Sequence, residues 1–258
     1  MAVISVVNQK GGVAKTSTVV NLSYNLATFF DKRILVVDCD PQHNTTLTLG
    51  VLPPYDFPFN LVDVLERDDI NIESCIFKSK FDNLDLISSS FDLFGWHGQQ
   101  GTSMFTALQR RLTDEVKSKY DYIFIDCPPN IDALVNNALT ASDYYILPIK
   151  CEDFYALKGM QQLTKHIEQI KENLNKDLKL LGALITMYDG RTSVSQKMSV
   201  AIKIHFSGRG MFETMIRTNT DLNKATLKNI PVCKHKKACL SCQDYLAMAE
   251  ELIGMLEG

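Results

Sequence analysis

The turn after the first apolar run constrains this chain most. Residues 2–7 are continuously apolar except for Ser5, and a helical pattern runs over residues 16–30, with apolar positions at Val19, Val20, Leu22, Leu26, Phe29 and Phe30. Between them stands Lys10-Gly11-Gly12-Val13-Ala14-Lys15-Thr16. A glycine-rich turn that leaves a buried strand and opens a helix presents backbone N–H groups and the positive end of the helix dipole to an anion. Gly11 and Gly12 can take backbone angles closed to other residues. Lys15 places a point charge where outer phosphates would lie, and the Thr16 hydroxyl is a magnesium ligand in such loops. The usual phosphate-loop pattern, G-x-x-x-x-G-K-[ST], is not met: its glycines fall on Gln9 and Ala14, and a lysine precedes the glycine pair instead.

Four more apolar runs, at residues 34–37, 122–125, 145–149 and 180–185, read as strands. They are nearly continuous rather than alternating, as parallel strands covered on both faces require. Helical patterns occupy residues 104–119, 132–141, 157–174, 194–206 and 242–256. The alternation predicts an α/β fold, a doubly wound, mostly parallel sheet flanked by helices. Residues 53–58, with three prolines, and the stretch from Ser88 to Ser103, which holds Trp96 and His97, read as loops. No repeat or linker interrupts the pattern, so residues 1–258 are expected to form one domain. A chain of 258 residues with 45% hydrophobic content buries roughly three quarters of its unfolded surface, so neither metal nor disulfide is needed for stability. The seven cysteines are odd in number and scattered; most are expected to be reduced core fillers. No run reaches the ~20 apolar residues of a membrane span. The start lacks a basic leader, and a cytoplasmic location is expected.

Two later strands end in acids. Ile34-Leu35-Val36-Val37 is followed by Asp38-Cys39-Asp40-Pro41-Gln42, and Tyr122-Ile123-Phe124-Ile125 by Asp126-Cys127-Pro128-Pro129. Ligands of open parallel sheets bind beyond the carboxyl ends of the strands. Three carboxylates there, beside a phosphate loop, can hold hydrated Mg²⁺ and orient an attacking water. With these segments, Asn44, Leu49-Gly50, Leu147-Pro148-Ile149, Leu184-Ile185-Thr186-Met187-Tyr188-Asp189, Ile230-Pro231-Val232 and Tyr245-Leu246-Ala247, the chain resembles the ParA/MinD group of deviant Walker A P-loop ATPases, and more closely the ParA/Soj partition proteins.

The resemblance implies a Mg²⁺-dependent ATPase with a weak basal rate, which dimerises with ATP, binds DNA non-specifically and drives plasmid or chromosome partition with a ParB-like adaptor. It implies a nucleoid-associated cytoplasmic protein with no membrane contact. Lys10 would be the signature lysine that reaches the partner's nucleotide. Gly11, Gly12, Val13, Ala14, Lys15, Thr16 and Ser17 would bind the phosphates, and Asp40 would position the hydrolytic water. Asp38 and Asp126, with Thr16, would hold magnesium. Thr186, Met187, Pro231 and Val232 would line the adenine pocket.

Departures from the family pattern bear on this reading. Ala14 and His43 replace common glycines. In residues 216–225 the family's usual basic positions hold Thr218 and Asp221, although Arg217 is kept and Lys224 stands where an acid is common. Around them, residues 190–237 hold ten Lys/Arg against two acids, Glu213 and Asp221. Such a block serves a polyanion or forms a solvated helix face. Lys197, Lys203, Arg209, Arg217 and Lys224 are the DNA-binding candidates. Cys233, His235, Cys239 and Cys242 do not match paired metal-ligand spacing, and structural cysteines are the expectation. A protein cargo in place of DNA remains the alternative. A MinD-like membrane switch needs a basic amphipathic terminus, but residues 249–258 are acidic. An iron–sulfur relative would need Cys127 or Cys151 at a dimer axis.

Overall fold

In the computed structural model, residues 1–96, 103–152 and 156–258 are described, without the side chains of residue 103 and residues 156–159. The strands are β1 Ala2–Val6, β2 Ile34–Asp38, β3 Phe77–Lys78, β4 Leu84–Ile87, β5 Tyr122–Asp126, β6 Tyr144–Lys150 and β7 Lys179–Thr186. The helices are α1 Lys15–Phe29, α2 Asn44–Leu49, α3 Leu61–Glu66, α4 Ser103–Arg111, α5 Asp114–Lys117, α6 Ala133–Thr140, α7 Ala156–Asn173, α8 Ser193–Phe206, α9 Thr220–Leu227, α10 Val232–His235 and α11 Leu240–Glu257. The strands form one sheet in the order β3-β4-β2-β5-β1-β6-β7, parallel but for the short edge strand β3.

Alternation along each strand explains why the apolar runs are continuous. Val3, Leu35, Val37, Ile123, Ile125, Leu147 and Ile185 point into a core under α4, α6 and α7. Ile4, Val6, Ile34, Val36, Phe124, Ile146 and Leu184 point the other way, under α1 and α11. Helix α1 is itself a middle layer: every residue from Thr18 to Ala27 is buried, between the sheet and Tyr245, Met248, Ala249 and Leu252 of α11.

Each of the five expected strands is present: β1 ends one residue early, β2 and β5 run on by one residue to include their aspartates, and β6 and β7 gain one residue at each end. Strand β4 escapes the sequence pattern because Asp85 interrupts it. That carboxylate is buried, where it accepts the Tyr120 hydroxyl (2.9 Å) and the Lys78 ammonium (3.1 Å). The helix expected over residues 104–119 breaks in two, because the Thr113 side chain accepts the N–H of Val116 and starts α5 afresh. Part of the expected loop from Ser88 to Ser103, including His97, lies outside the described residues. Among the described residues no helix is long and apolar enough to cross a membrane, and no group of His, Cys, Asp or Glu is arranged to hold a metal ion on its own.

The cysteines differ in part from expectation. Cys39, Cys75, Cys127, Cys151 and Cys239 are free and buried, but Cys233 and Cys242 are joined in a disulfide. The eight residues between them in sequence bend back through the α10 turn, bringing their Cα atoms to 4.8 Å, a separation that sequence spacing alone does not reveal.

Candidate active site

The loop after β1 is held from three sides. Asn8, itself buried, donates to the Pro148 carbonyl in β6 (2.7 Å) and accepts the N–H of Lys10 (3.0 Å). The Thr186 hydroxyl at the end of β7 donates to the Val13 carbonyl (3.1 Å). The loop is therefore fixed before any ligand arrives. Gly12 has φ +70° and Ala14 φ 70°, both in the left-handed region, and a Cβ built on Gly11 or Gly12 would meet nothing within 4 Å. The glycines keep that side of the turn open to a ligand. Helix α1 starts with no side-chain cap on its first turn, which leaves its leading amides for an anion.

Lys15 is almost wholly buried. Its ammonium donates back to the Lys10 carbonyl (3.2 Å). Burial lowers its pKa, against the opposing pull of Asp126, Cys127 and Asp40. A desolvated ammonium whose hydrogen bond goes to a neutral carbonyl is strongly drawn to phosphate. Gly11, Gly12, Ala14, Lys15, Thr16, Ser17, Asp40, Asn44, Pro129 and Met187 line one cavity of about 260 Å³.

Asp38 and Asp126 sit side by side in register at the ends of β2 and β5. Both are fully buried, and burial raises the pKa of each, that of Asp126 to about 6. The first turn of α2 restrains them. Thr46 gives its N–H (2.8 Å) and hydroxyl (2.7 Å) to Asp38 Oδ2, and the Thr45 hydroxyl donates to Asp126 Oδ2 (2.7 Å). Asp38 Oδ1 accepts the N–H of Asp40 (3.2 Å), so both Asp38 oxygens are committed. Asp126 Oδ1 is sealed from solvent and meets no hydrogen-bond partner among the described residues. A bare buried carboxylate oxygen, next to a Thr16 hydroxyl that favours its charge, fits a hard cation. Of the residues expected around magnesium, Thr16 lines the cavity, Asp126 keeps one buried oxygen without a partner among the described residues, and both Asp38 oxygens are already engaged.

Asp40 stands half-buried over the cavity. Its Oδ1 accepts the N–H of Gln42 (2.9 Å), and its carbonyl accepts the hydroxyl of Ser89 (2.6 Å) and the N–H of His43 (2.8 Å). Burial raises its pKa, while the Gln42 N–H and Lys15 oppose that. His43 has φ 46°, in the left-handed region that glycine adopts without strain. It caps the turn, with its ring edge-on to Tyr55 at 5.4 Å.

A second cavity of about 210 Å³ continues from Thr16, Ser17 and Asn44 along α1 to Leu222, Thr226, Asn229 and Ile230. Met187 (φ 53°) reaches the first cavity, but Thr186, Pro231 and Val232 line neither. They act from behind: the N–H of Val232 donates to Asn21 (2.7 Å), which donates to the Ser17 carbonyl (2.7 Å). Sequence reasoning missed Thr45, Thr46 and Ser89, since hydroxyls carry no spacing signature. It also missed Asn229 and Ile230, one and two positions before the Pro-Val pair it selected.

The basic candidates are scattered. Lys197, Lys203 and Arg209 are exposed on or after α8. The Glu213 carboxylate lies 4.0 Å from Lys203. Arg217 is bound by Asp244 through its backbone N–H and its guanidinium, and Lys224 faces Asp221 at 3.6 Å.

Residues 1–180 match the AAA domain family. The chain is 36% identical over 251 residues to the sporulation initiation inhibitor protein Soj of Bacillus subtilis, covering 97% of each chain. It is 34% identical over 258 residues to the chromosome partitioning protein ParA of Caulobacter vibrioides, covering 98% of this chain and 94% of the relative. Among solved structures, cobyrinic acid a,c-diamide synthase from Mycobacterium smegmatis with a bound ATP analogue and magnesium superposes with a TM-score of 0.84. It is 30% identical and covers 97% of this chain and 93% of that one. A phosphate-loop cleft with a buried lysine, a bare carboxylate oxygen and near full-length kinship to these proteins give one assignment: the chain belongs to the ParA/Soj family of P-loop ATPases, which use ATP and Mg²⁺.

Proposed function

We propose that this protein is an ATP-driven partition switch acting as one domain over residues 1–258. ATP and magnesium close two copies into a dimer, hydrolysis is slow until a ParB-like adaptor stimulates it, and the dimer binds DNA non-specifically in the cytoplasm, at the nucleoid. The observation that carries this reading is the placing of Lys15 and Asp40 on one cavity, with the buried Asp126 carboxylate close enough to act on the Lys15 ammonium. The residues divide the work. Loop amides and Lys15 bind and orient the phosphates, Thr16 and Asp126 hold magnesium, and Asp40 holds the attacking water in line. Magnesium supplies charge neutralisation on the phosphate oxygens. Lys10, half-buried next to the exposed Gly11 and Gly12, serves the neighbouring copy as a charge supplied in trans, and that makes hydrolysis depend on dimerisation.

Three variants test the division. Lys15→Ala loses nucleotide affinity. Asp40→Ala binds ATP and accumulates as dimer, with hydrolysis at least about tenfold lower. Lys10→Ala binds ATP but stays monomeric in light scattering, and a Lys10→Ala dimer with normal turnover would remove the trans role. DNA contact is read by ATP-dependent binding that weakens steeply with salt and is lost in Lys203→Ala and Arg217→Ala. Because Asp244 and Asp221 already engage Arg217 and Lys224, a protein cargo is the second reading, and absence of DNA binding at low salt selects it.

A further inference from the structure

The disulfide lies where two parts of the molecule meet. Cys233 directly follows Val232, whose N–H is tied through Asn21 to Ser17 and so to the cleft. Cys242 lies in the first turn of α11, two residues before Asp244, which holds Arg217. The ring they close encloses Lys234, Lys236 and Lys237, all exposed, and a half-buried His235. A third thiol, Cys239, is buried inside the ring, and its sulfur accepts the N–H of Cys242 (3.4 Å). Cations around a cysteine pair favour thiolate and speed exchange. A short exposed loop over buried sulfurs also opens locally without global unfolding. The large core on both sheet faces needs no staple.

We propose that Cys233 and Cys242 are a reversible dithiol–disulfide switch, exchanging with low-molecular-weight disulfides and dithiols, which when oxidised locks the Pro231–Val232 turn onto α11. In the oxidising direction the Cys233 thiolate attacks a small disulfide, forms a mixed disulfide and expels one thiolate. The Cys242 thiolate then attacks the Cys233 sulfur and expels the second. Two electrons pass to the small disulfide and two protons leave the protein thiols. A dithiol reverses both steps. Cys239 holds the start of α11 and takes no part in the final bond.

The test uses the full-length protein equilibrated in glutathione buffers of graded ratio, acid-quenched, alkylated under denaturing conditions and weighed. Seven alkylated cysteines are expected at the reducing end and five at the oxidising end, with residues 233 and 242 recovered in one cross-linked peptide. Seven at every ratio, or five even in excess dithiothreitol, overturns the switch. Reduction is expected to lower Tm by about 5 °C, since the ring no longer restrains the unfolded chain. It is also expected to raise trypsin cleavage at the three lysines, and Cys239→Ser is expected to retain both responses. The effect on the cleft rests on the nucleotide reading: affinity for a fluorescent ATP analogue should fall about fivefold on reduction. Unchanged affinity with cycling thiols removes the lock on the turn. No binding in either redox state removes the nucleotide reading and leaves the thiol result standing.

Discussion

Ala14 shows how a single methyl group registers in this fold. It caps α1 at φ 70°, ψ 31°, a conformation that costs a non-glycine residue about 1–2 kcal/mol. The loop keeps this geometry because Val13 beside it is buried and pinned through its carbonyl to Thr186. Ala14→Gly removes the strain but enlarges the unfolded ensemble, which offsets about 0.4–1 kcal/mol. The net expectation is a gain of about 0.5–1 kcal/mol in urea unfolding of the nucleotide-free protein. A loss would mean that the methyl makes useful contacts in the native loop. Sequence could tell that Ala14 departs from a glycine pattern. It could not tell that the backbone stays left-handed despite the substitution, because that follows from the anchors on either side.

At the scale of elements, strand pattern was legible and hydroxyl chemistry was not. The runs at 2–7, 34–37 and 122–125 announce buried parallel strands because both faces of the sheet are covered. The acids that end the latter two announce the site because carboxylates rarely sit at the end of a buried strand without a partner or a task. Helix α2 carries no such signal: Asn44-Thr45-Thr46-Leu47-Thr48-Leu49 is short and has no clear apolar face. Yet its first turn binds both buried aspartates, and Thr46 also accepts the N–H of Ser89 (2.9 Å). Through Ser89 the network returns to the Asp40 carbonyl. Thr46→Val keeps the shape but leaves an Asp38 oxygen and the Ser89 N–H without that hydroxyl. A loss of about 1–3 kcal/mol in stability is expected, together with slower ATP turnover as the Asp40 loop loosens. Urea titration and a phosphate-release assay read the two effects. Full stability in Thr46→Val would show that water replaces the hydroxyl.

Across the whole molecule, the site makes the nucleotide-free protein sensitive to pH in an unusual direction. Most carboxylates gain partners on folding and stabilise at neutral pH, as the Arg191 guanidinium does for Asp189, held down at about 2. Asp38 and Asp126 do the reverse, since burial raises both, and the neighbouring Asp126 charge adds to the rise of Asp38. The folded state therefore binds more protons than the unfolded state between the ordinary carboxylate range near 4 and about 6. In that window the slope of unfolding free energy with pH is negative: Asp126 favours folding at the acid end, and its contribution is lost as pH rises through about 6. Nucleotide-free protein should accordingly lose on the order of 2 kcal/mol from Asp126 between pH 4.5 and 7, partly masked by other acids that titrate the opposite way. The comparison with Asp126→Asn removes that masking. The amide cannot ionise, so the variant should be less sensitive to rising pH across the window, while its Mg²⁺-dependent ATP binding is lost. In the proposed role of Asp126, magnesium would take the place of its proton, so wild-type affinity for Mg²⁺·ATP should weaken as pH falls below about 6. Parallel urea midpoints for wild type and Asp126→Asn at pH 5, 6 and 7 would mean that the carboxylate is already charged in the empty site.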